Sequence, residues 1–347
     1  MIKRFSIVLC LAILSFSCSK EDNTIIDKPT SPVDPTPPVV VPPIGNDKDI
    51  PDPKTFKIPS EYSDYYKSID WSKKGMELKK ELAKLITQTH HPIPYTPGVW
   101  EAIEYTDQDP DNPNNVLLIY GWPDKDAKNV IHKRSMHKTS KSSGNGSNRD
   151  YSWEREHVFA KSLAVVKNTK QTALIANVKS NYIGTSIPEI AGTDVHNLRS
   201  INGTWNNTRG NKKFADGHGN SGPVGSYNWY PGDDWKGDVA RMMLYMHIRY
   251  ESNKNEPDFD RYTNASKVGI PINSRAPLTD SMIDLFLKWN AEDPVDEIER
   301  RRNEYHGNPQ NPEFRYAQGN RNPFIDNPSL ANVIWGMPIY IAENTWK

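Results

Sequence analysis

Both cysteines of this 347-residue chain, Cys10 and Cys18, lie at its N-terminal end. Everything after them has no thiol, so no disulfide can staple the fold. The body must therefore be held by a buried core of its own, for which its length is ample. Any metal in it must be held by oxygen and imidazole, because thiolate sites are excluded.

The cysteines themselves belong to a targeting segment. Lys3 and Arg4 precede an apolar run at residues 7–16, which is too short to span a bilayer. Leu14-Ser15-Phe16-Ser17-Cys18 resembles a bacterial lipobox, and Ser19-Lys20-Glu21-Asp22 resembles the signal that sends some lipoproteins to the outer face of the cell. The expectation is a signal peptide over residues 1–18 and a lipid on Cys18. That makes an outer-membrane lipoprotein exposed at the cell surface and touching the membrane only through its anchor. Residues 19–60 are rich in proline, as in Pro35-Thr36-Pro37-Pro38 and Pro42-Pro43. Proline fixes φ and donates no hydrogen bond, so this stretch reads as an extended tether. Residues 61–347 show no second linker and no internal repeat, and read as one folded domain, a monomer.

Within that domain the periodicities are mixed. Leu78, Leu82, Leu85 and Ile86 make a helical stripe over residues 77–87. Residues 116–120 (Val-Leu-Leu-Ile-Tyr) read as a buried strand launched from the turn-rich Asp109-Pro110-Asp111-Asn112-Pro113. Residues 238–250 and 281–289 read as helices whose Met and aromatic stripes face the core. The fold class is α+β. Asp107-x-Asp109-x-Asp111-Asn112 has the opening spacing of a calcium loop but lacks its sixth-position glycine and closing glutamate, so it reads as a turn. His90, His91, His218 and His306 have no ligand spacing and read as ordinary core or surface residues.

Charge gives no global signature of a polyanion binder, since 43 basic residues balance 43 acidic ones. Locally, residues 125–155 hold eight bases against three acids and run through a Ser/Gly/Asn loop into Trp153-Glu154-Arg155-Glu156-His157-Val158. A polyanion entering beside Glu156 would need such a flank. Asp194-Val195-His196-Asn197-Leu198 follows as a short strand-like piece, and Asn202 can cap a helix from Gly203 to Arg209. Asn206 and Arg209 stand three apart on one face of that helix. Asn-Asn-Thr is a poor helix interior, so these residues answer a requirement other than folding. A carboxylate and an amide can hold a hard cation, an imidazole can take a proton from water, and a guanidinium can meet a phosphate. Together they are the parts that phosphodiester hydrolysis needs. One difficulty is physical: neighbours on a regular strand point to opposite faces, so Glu156 and His157 can address one ion only if the strand breaks there.

The Trp-x-Arg-Glu-His-Val, Asp-x-His-Asn-Leu and Asn-x-x-Arg-x-Asn motifs resemble the bacterial endonuclease I family, secreted nucleases with a ββα-metal (His-Me finger) site. The likeness continues in residues 109–120, in Trp235-Lys236-Gly237-Asp238-Val239-Ala240-Arg241 and in Gly319-Asn320-Arg321-Asn322-Pro323-Phe324-Ile325-Asp326. The resemblance implies His157 as general base and Glu156 and Asn206 as ligands of one Mg²⁺, with Ca²⁺ or Mn²⁺ as substitutes. Arg209 is the catalytic candidate for the phosphate, and Arg155 is the other arginine able to take that place. Asp194, His196 and Asn197 are assigned support. The implied activity is sequence-non-specific, metal-dependent cleavage of DNA, with RNA as a further substrate. Ala160 stands where the family usually has proline, and Ser200-Ile201 replace its commoner residues, which puts loop geometry rather than chemistry in question. Two other readings stand beside it: a non-catalytic surface lipoprotein that binds nucleic acid or another polyanion, and a different phosphoesterase on the same metal centre.

Overall fold

The computed structural model describes residues 49–142, 148–160, 192–250 and 283–347. The chain divides into two units, Met1–Pro42 and Pro43–Lys347. The expected signal peptide, the Cys18 anchor site and the tether up to residue 48 lie outside the described residues, as do residues 143–147 of the Ser/Gly/Asn loop and residues 281 and 282 of the last expected helix.

The described part of the tether is already folded. Asp52 caps a 3-10 turn at Pro53–Thr55. Phe56 then packs edge-on against Trp71 and Trp346 at 5.8 and 5.6 Å, and the Lys57 N–H meets the Trp346 carbonyl at 3.0 Å. Phe56 and Ile58, within the stretch expected as tether, are partly buried against the core.

Helix α1 (Ser60–Tyr66) leads into α2 (Gly75–Thr89), which buries Leu78, Leu82, Leu85 and Ile86 as its stripe requires. Each such side chain contributes about 1.5–3 kcal/mol by leaving water. After α3 (Gly98–Thr106) come two short antiparallel strands, β1 (Asn115–Leu117) and β2 (Ser135–His137). The expected strand over residues 116–120 thus stops at its midpoint. Leu118 still donates to the Arg134 carbonyl and Ile119 to the Ser200 carbonyl, at 2.7 and 2.8 Å. Tyr120 then turns into the left-handed region at φ 65°, and the chain leaves the sheet. Its carbonyl accepts from Ser221 Oγ at 2.6 Å and from the Trp205 indole at 3.3 Å, which holds that costly conformation.

Strand β3 (Trp153–His157) pairs antiparallel with β4 (Leu198–Asn202), and α4 (Gly203–Arg209) follows β4 without a loop. A small sheet of β5 (Lys213–Phe214), β6 (Gly222–Val224) and β7 (Asn228–Tyr230), in the order β5-β7-β6, covers one end. The long α5 (Lys236–Tyr250) is buried from Gly237 onward and packs on α6 (Asp284–Glu292). Then come α7 (Glu297–Gly307), α8 (Pro323–Asp326) and α9 (Leu330–Trp335). The α+β expectation holds.

A helix buried all round can carry charge only if each charge is paired. Asp238 of α5 meets Arg199 of β4 at 2.7 Å, and Arg241 of α5 meets Glu299 of α7 at 2.5 Å. Asp107, at the end of α3, extends this network. It pairs with Arg199 at 3.0 Å and with Arg302 of α7, and accepts from the Ser200 N–H at 2.8 Å. Burial opposes its ionisation, yet Arg199 and Arg302 hold its carboxyl below the usual range. The calcium-like segment is thus an ion-pair anchor followed by a turn, in which Asp109 accepts from the Asp111 N–H at 3.0 Å. His90 and His306 are both core residues.

Candidate active site

Burial alternates along β3. Glu154 and Glu156 are buried, whereas Arg155 and His157 are half-buried on the opposite face. The strand stays regular through its last pair, His157 with Leu198. It bends only at Val158 and Phe159, and Asn197 holds that bend: its carbonyl accepts from the Val158 N–H at 3.1 Å, its Oδ1 from the Phe159 N–H at 2.7 Å, and its Nδ2 donates to the Phe159 carbonyl at 3.2 Å. The break that would aim Glu156 and His157 together therefore falls one residue too late, and the two side chains leave on opposite faces.

On the carboxylate face, Asn202 caps α4 by accepting from the Thr204 and Trp205 N–H groups at 2.9 and 3.1 Å, as its position predicts. Asn206, one turn on, donates through Nδ2 to Glu154 Oε2 at 2.9 Å; Arg149 donates to the same oxygen at 2.6 Å. Asn206 Oδ1 makes no hydrogen bond among the described residues. Glu154 Oε1 is buried and also has no hydrogen-bond partner there. A Cβ at Gly203 would stand 2.8 Å from that oxygen and 3.0 Å from the Arg149 carbonyl, so only glycine lets α4 start this close to β3. Glu154 was not singled out from the sequence, although the two-residue period puts it on the Glu156 face.

Glu156 is 2 % exposed. Burial pushes its carboxyl up to about 7, against the opposing effects of Arg209 and of the Tyr120 hydroxyl, which lies 3.5 Å away. Arg209 Nε stands 3.4 Å from the same carboxylate. The rest of that guanidinium is engaged by backbone: Nη1 donates to the His157 and Gly210 carbonyls at 3.3 and 3.0 Å, and Nη2 to the Val158 carbonyl at 2.5 Å. At 1 % exposure it does not reach solvent. The structure thus places Arg209 beside the buried Glu156, tying the end of α4 to the bend after β3.

These oxygens suit a hard divalent cation. Glu156 has few competing donors, and Asn206 Oδ1 and Glu154 Oε1 lack hydrogen-bond partners. Among the described residues no three His, Cys, Asp or Glu side chains gather into a metal site.

On the other face, His157 Nε2 lies 2.9 Å from the Gly192 carbonyl and its ring stacks near Tyr95, 6.1 Å between centroids and 26° between planes. Arg155 lies over Tyr95 at 3.4 Å and over Trp100 at 4.1 Å. The second motif is internal. Asp194 caps a 3-10 turn at Val195–Asn197 and accepts from Tyr245, Tyr250 and Gln318 at 2.7, 2.8 and 3.0 Å. His196 Nε2 meets the Asn320 carbonyl at 3.0 Å.

The endonuclease I family model matches residues 74–329. An extracellular ribonuclease of Bacillus amyloliquefaciens is 37% identical over 277 residues, covering 78% of each chain. An extracellular ribonuclease of Bacillus subtilis (strain 168) is 35% identical over the same length and with the same coverage. The matched span takes in β3, β4, α4 and every motif that surrounds them, and on that ground the chain belongs to the endonuclease I family of nucleases.

Proposed function

We propose that this chain is a secreted endonuclease that hydrolyses phosphodiester bonds of DNA and RNA with water, using one divalent cation, ordinarily Mg²⁺. One observation supports this most: a ββα unit carries a buried carboxylate and an amide with a free oxygen on one face, and an imidazole at the end of the same strand. Both relatives are named extracellular ribonucleases, which supports RNA as a substrate beside DNA. Attachment through a lipid on Cys18 would keep the enzyme at the outer surface, with residues 19–48 as its leash.

Glu156 and Asn206 would hold the cation, which when bound supplies charge stabilisation at the phosphate and at the departing oxygen. Glu154 and Arg149 fix the Asn206 amide so that its oxygen is presented. Arg209 supports Glu156 from behind. His157, on the other face at the end of β3, takes the proton of a water that attacks phosphorus from the side away from the cation and the departing oxygen, a step worth roughly 10²–10⁴-fold. The basic flank in residues 125–155 draws the polyanion in.

The decisive experiment incubates the mature protein with supercoiled plasmid and with single-stranded RNA. Products are expected with Mg²⁺, and chelator should lower the rate at least about 100-fold, in keeping with the several kcal/mol a catalytic cation supplies. Cleavage undiminished by chelator would remove the metal from the mechanism. Salt-dependent binding without any product would make the protein a polyanion-binding lipoprotein instead.

A further inference from the structure

Arg155 is held unlike the other arginines of the site. Its guanidinium lies against two aromatic rings, Tyr95 and Trp100. Nη1 donates to the Tyr95 carbonyl and, at 3.2 Å, to Thr96 Oγ1. Nε and Nη2 make no hydrogen bond among the described residues, and no carboxylate there pairs with the group. Arg149 is matched by Glu154 at 2.6 Å and Arg209 by Glu156 at 3.4 Å. Arg155 is thus a fixed cation with part of its fork unused. It shares a strand face with His157, two residues on, and Tyr95 touches both.

A guanidinium clamped by rings loses little rotamer freedom on binding, and its fork suits the oxygens of a phosphodiester. We propose that Arg155 is the residue that grips a backbone phosphate of the substrate beside His157, with Tyr95 and Trp100 as the positioning residues that hold the fork flat. This rests on the nuclease reading above and adds to it which arginine meets the phosphate. Contact is with the backbone and not with a base edge, so it contributes affinity without sequence preference.

The test measures binding of a fluorescent single-stranded oligonucleotide in chelator, where no turnover intervenes, across a range of salt. Arg155→Gln should weaken binding about 10- to 100-fold, the worth of hydrogen bonds to a charged group. It should also reduce the slope of log K against log salt by about 0.7, one phosphate contact on a single strand. Arg155→Lys should keep the slope and lose affinity, because charge is retained and the fork is not. If Arg155→Gln fails to fold, the wild type and Arg155→Lys are compared on oligonucleotides carrying one neutral methylphosphonate linkage; a single position should erase their difference. Equal affinity and slope for wild type and a folded Arg155→Gln, or a difference between wild type and Arg155→Lys at no linkage, overturns the assignment. A wild type that cuts while Arg155→Gln binds equally removes this inference alone, whereas a wild type that neither binds nor cuts removes the nuclease reading beneath it.

Discussion

His157→Ala is expected to lower turnover on plasmid and on RNA roughly 10²–10⁴-fold, the usual contribution of a general base. The Michaelis constant should change little, because the imidazole acts on water and not on the bound backbone. Metal affinity should also stay as it was: β3 sends His157 and Glu156 to opposite faces, so the ring does not belong to the ion's ligand sphere. Asn206→Ala should do the reverse, weakening metal binding while leaving the base in place. Rates measured as a function of Mg²⁺ separate the two. His157→Ala with undiminished turnover would end its role as base.

Asp107→Ala is expected to cost about 3–5 kcal/mol of stability, the penalty for leaving buried charge without its partner. Arg199 and Arg302 would both lose their shared carboxylate in a region where Asp107 is fully buried. Urea denaturation checks this through a lower midpoint at an unchanged slope. The loss should carry into activity at raised temperature. Arg199 lies opposite Glu156 in the β3–β4 register, and Asp107 also receives the N–H of Ser200. A cost below about 1 kcal/mol would show that the network is dispensable, as exposed pairs are.

Much of the fold and part of the site can be read from residue order alone. The α2 stripe is clean because one face of that helix meets the core and the other meets water. The Asn202 cap is local, needing only the N–H groups two and three residues on. Glu154 was legible in principle, because strand alternation couples it to Glu156, yet its partner Asn206 lies 52 residues away. Arg209 was not legible. Its burial depends on the carbonyls of His157 and Val158, and backbone acceptors leave no trace in residue identity. The charges of α5 are similar: Asp238 and Arg241 look like an exposed face until Arg199 and Glu299 arrive from other elements. The packing of Phe56 and Ile58 leaves no trace in residue order because two such residues are too few to make a pattern, although two tryptophans await the first of them.

The reach of Arg302 has a bearing on the cell that makes this protein. It grips Asp107, 195 residues earlier in the chain, together with the carbonyls of Val195 and Leu198 at 2.9 and 2.8 Å. Those carbonyls flank the turn from which β4 begins. A chain still leaving the ribosome, or still threading outward, holds both β3 and β4 before it holds the arginine that fixes the start of β4. Synthesis runs from the N-terminus and a domain folds as a unit. The start of β4 is therefore fixed only once residue 302 has been made, so the β3–β4 pair stays unanchored on that side for most of the chain's synthesis.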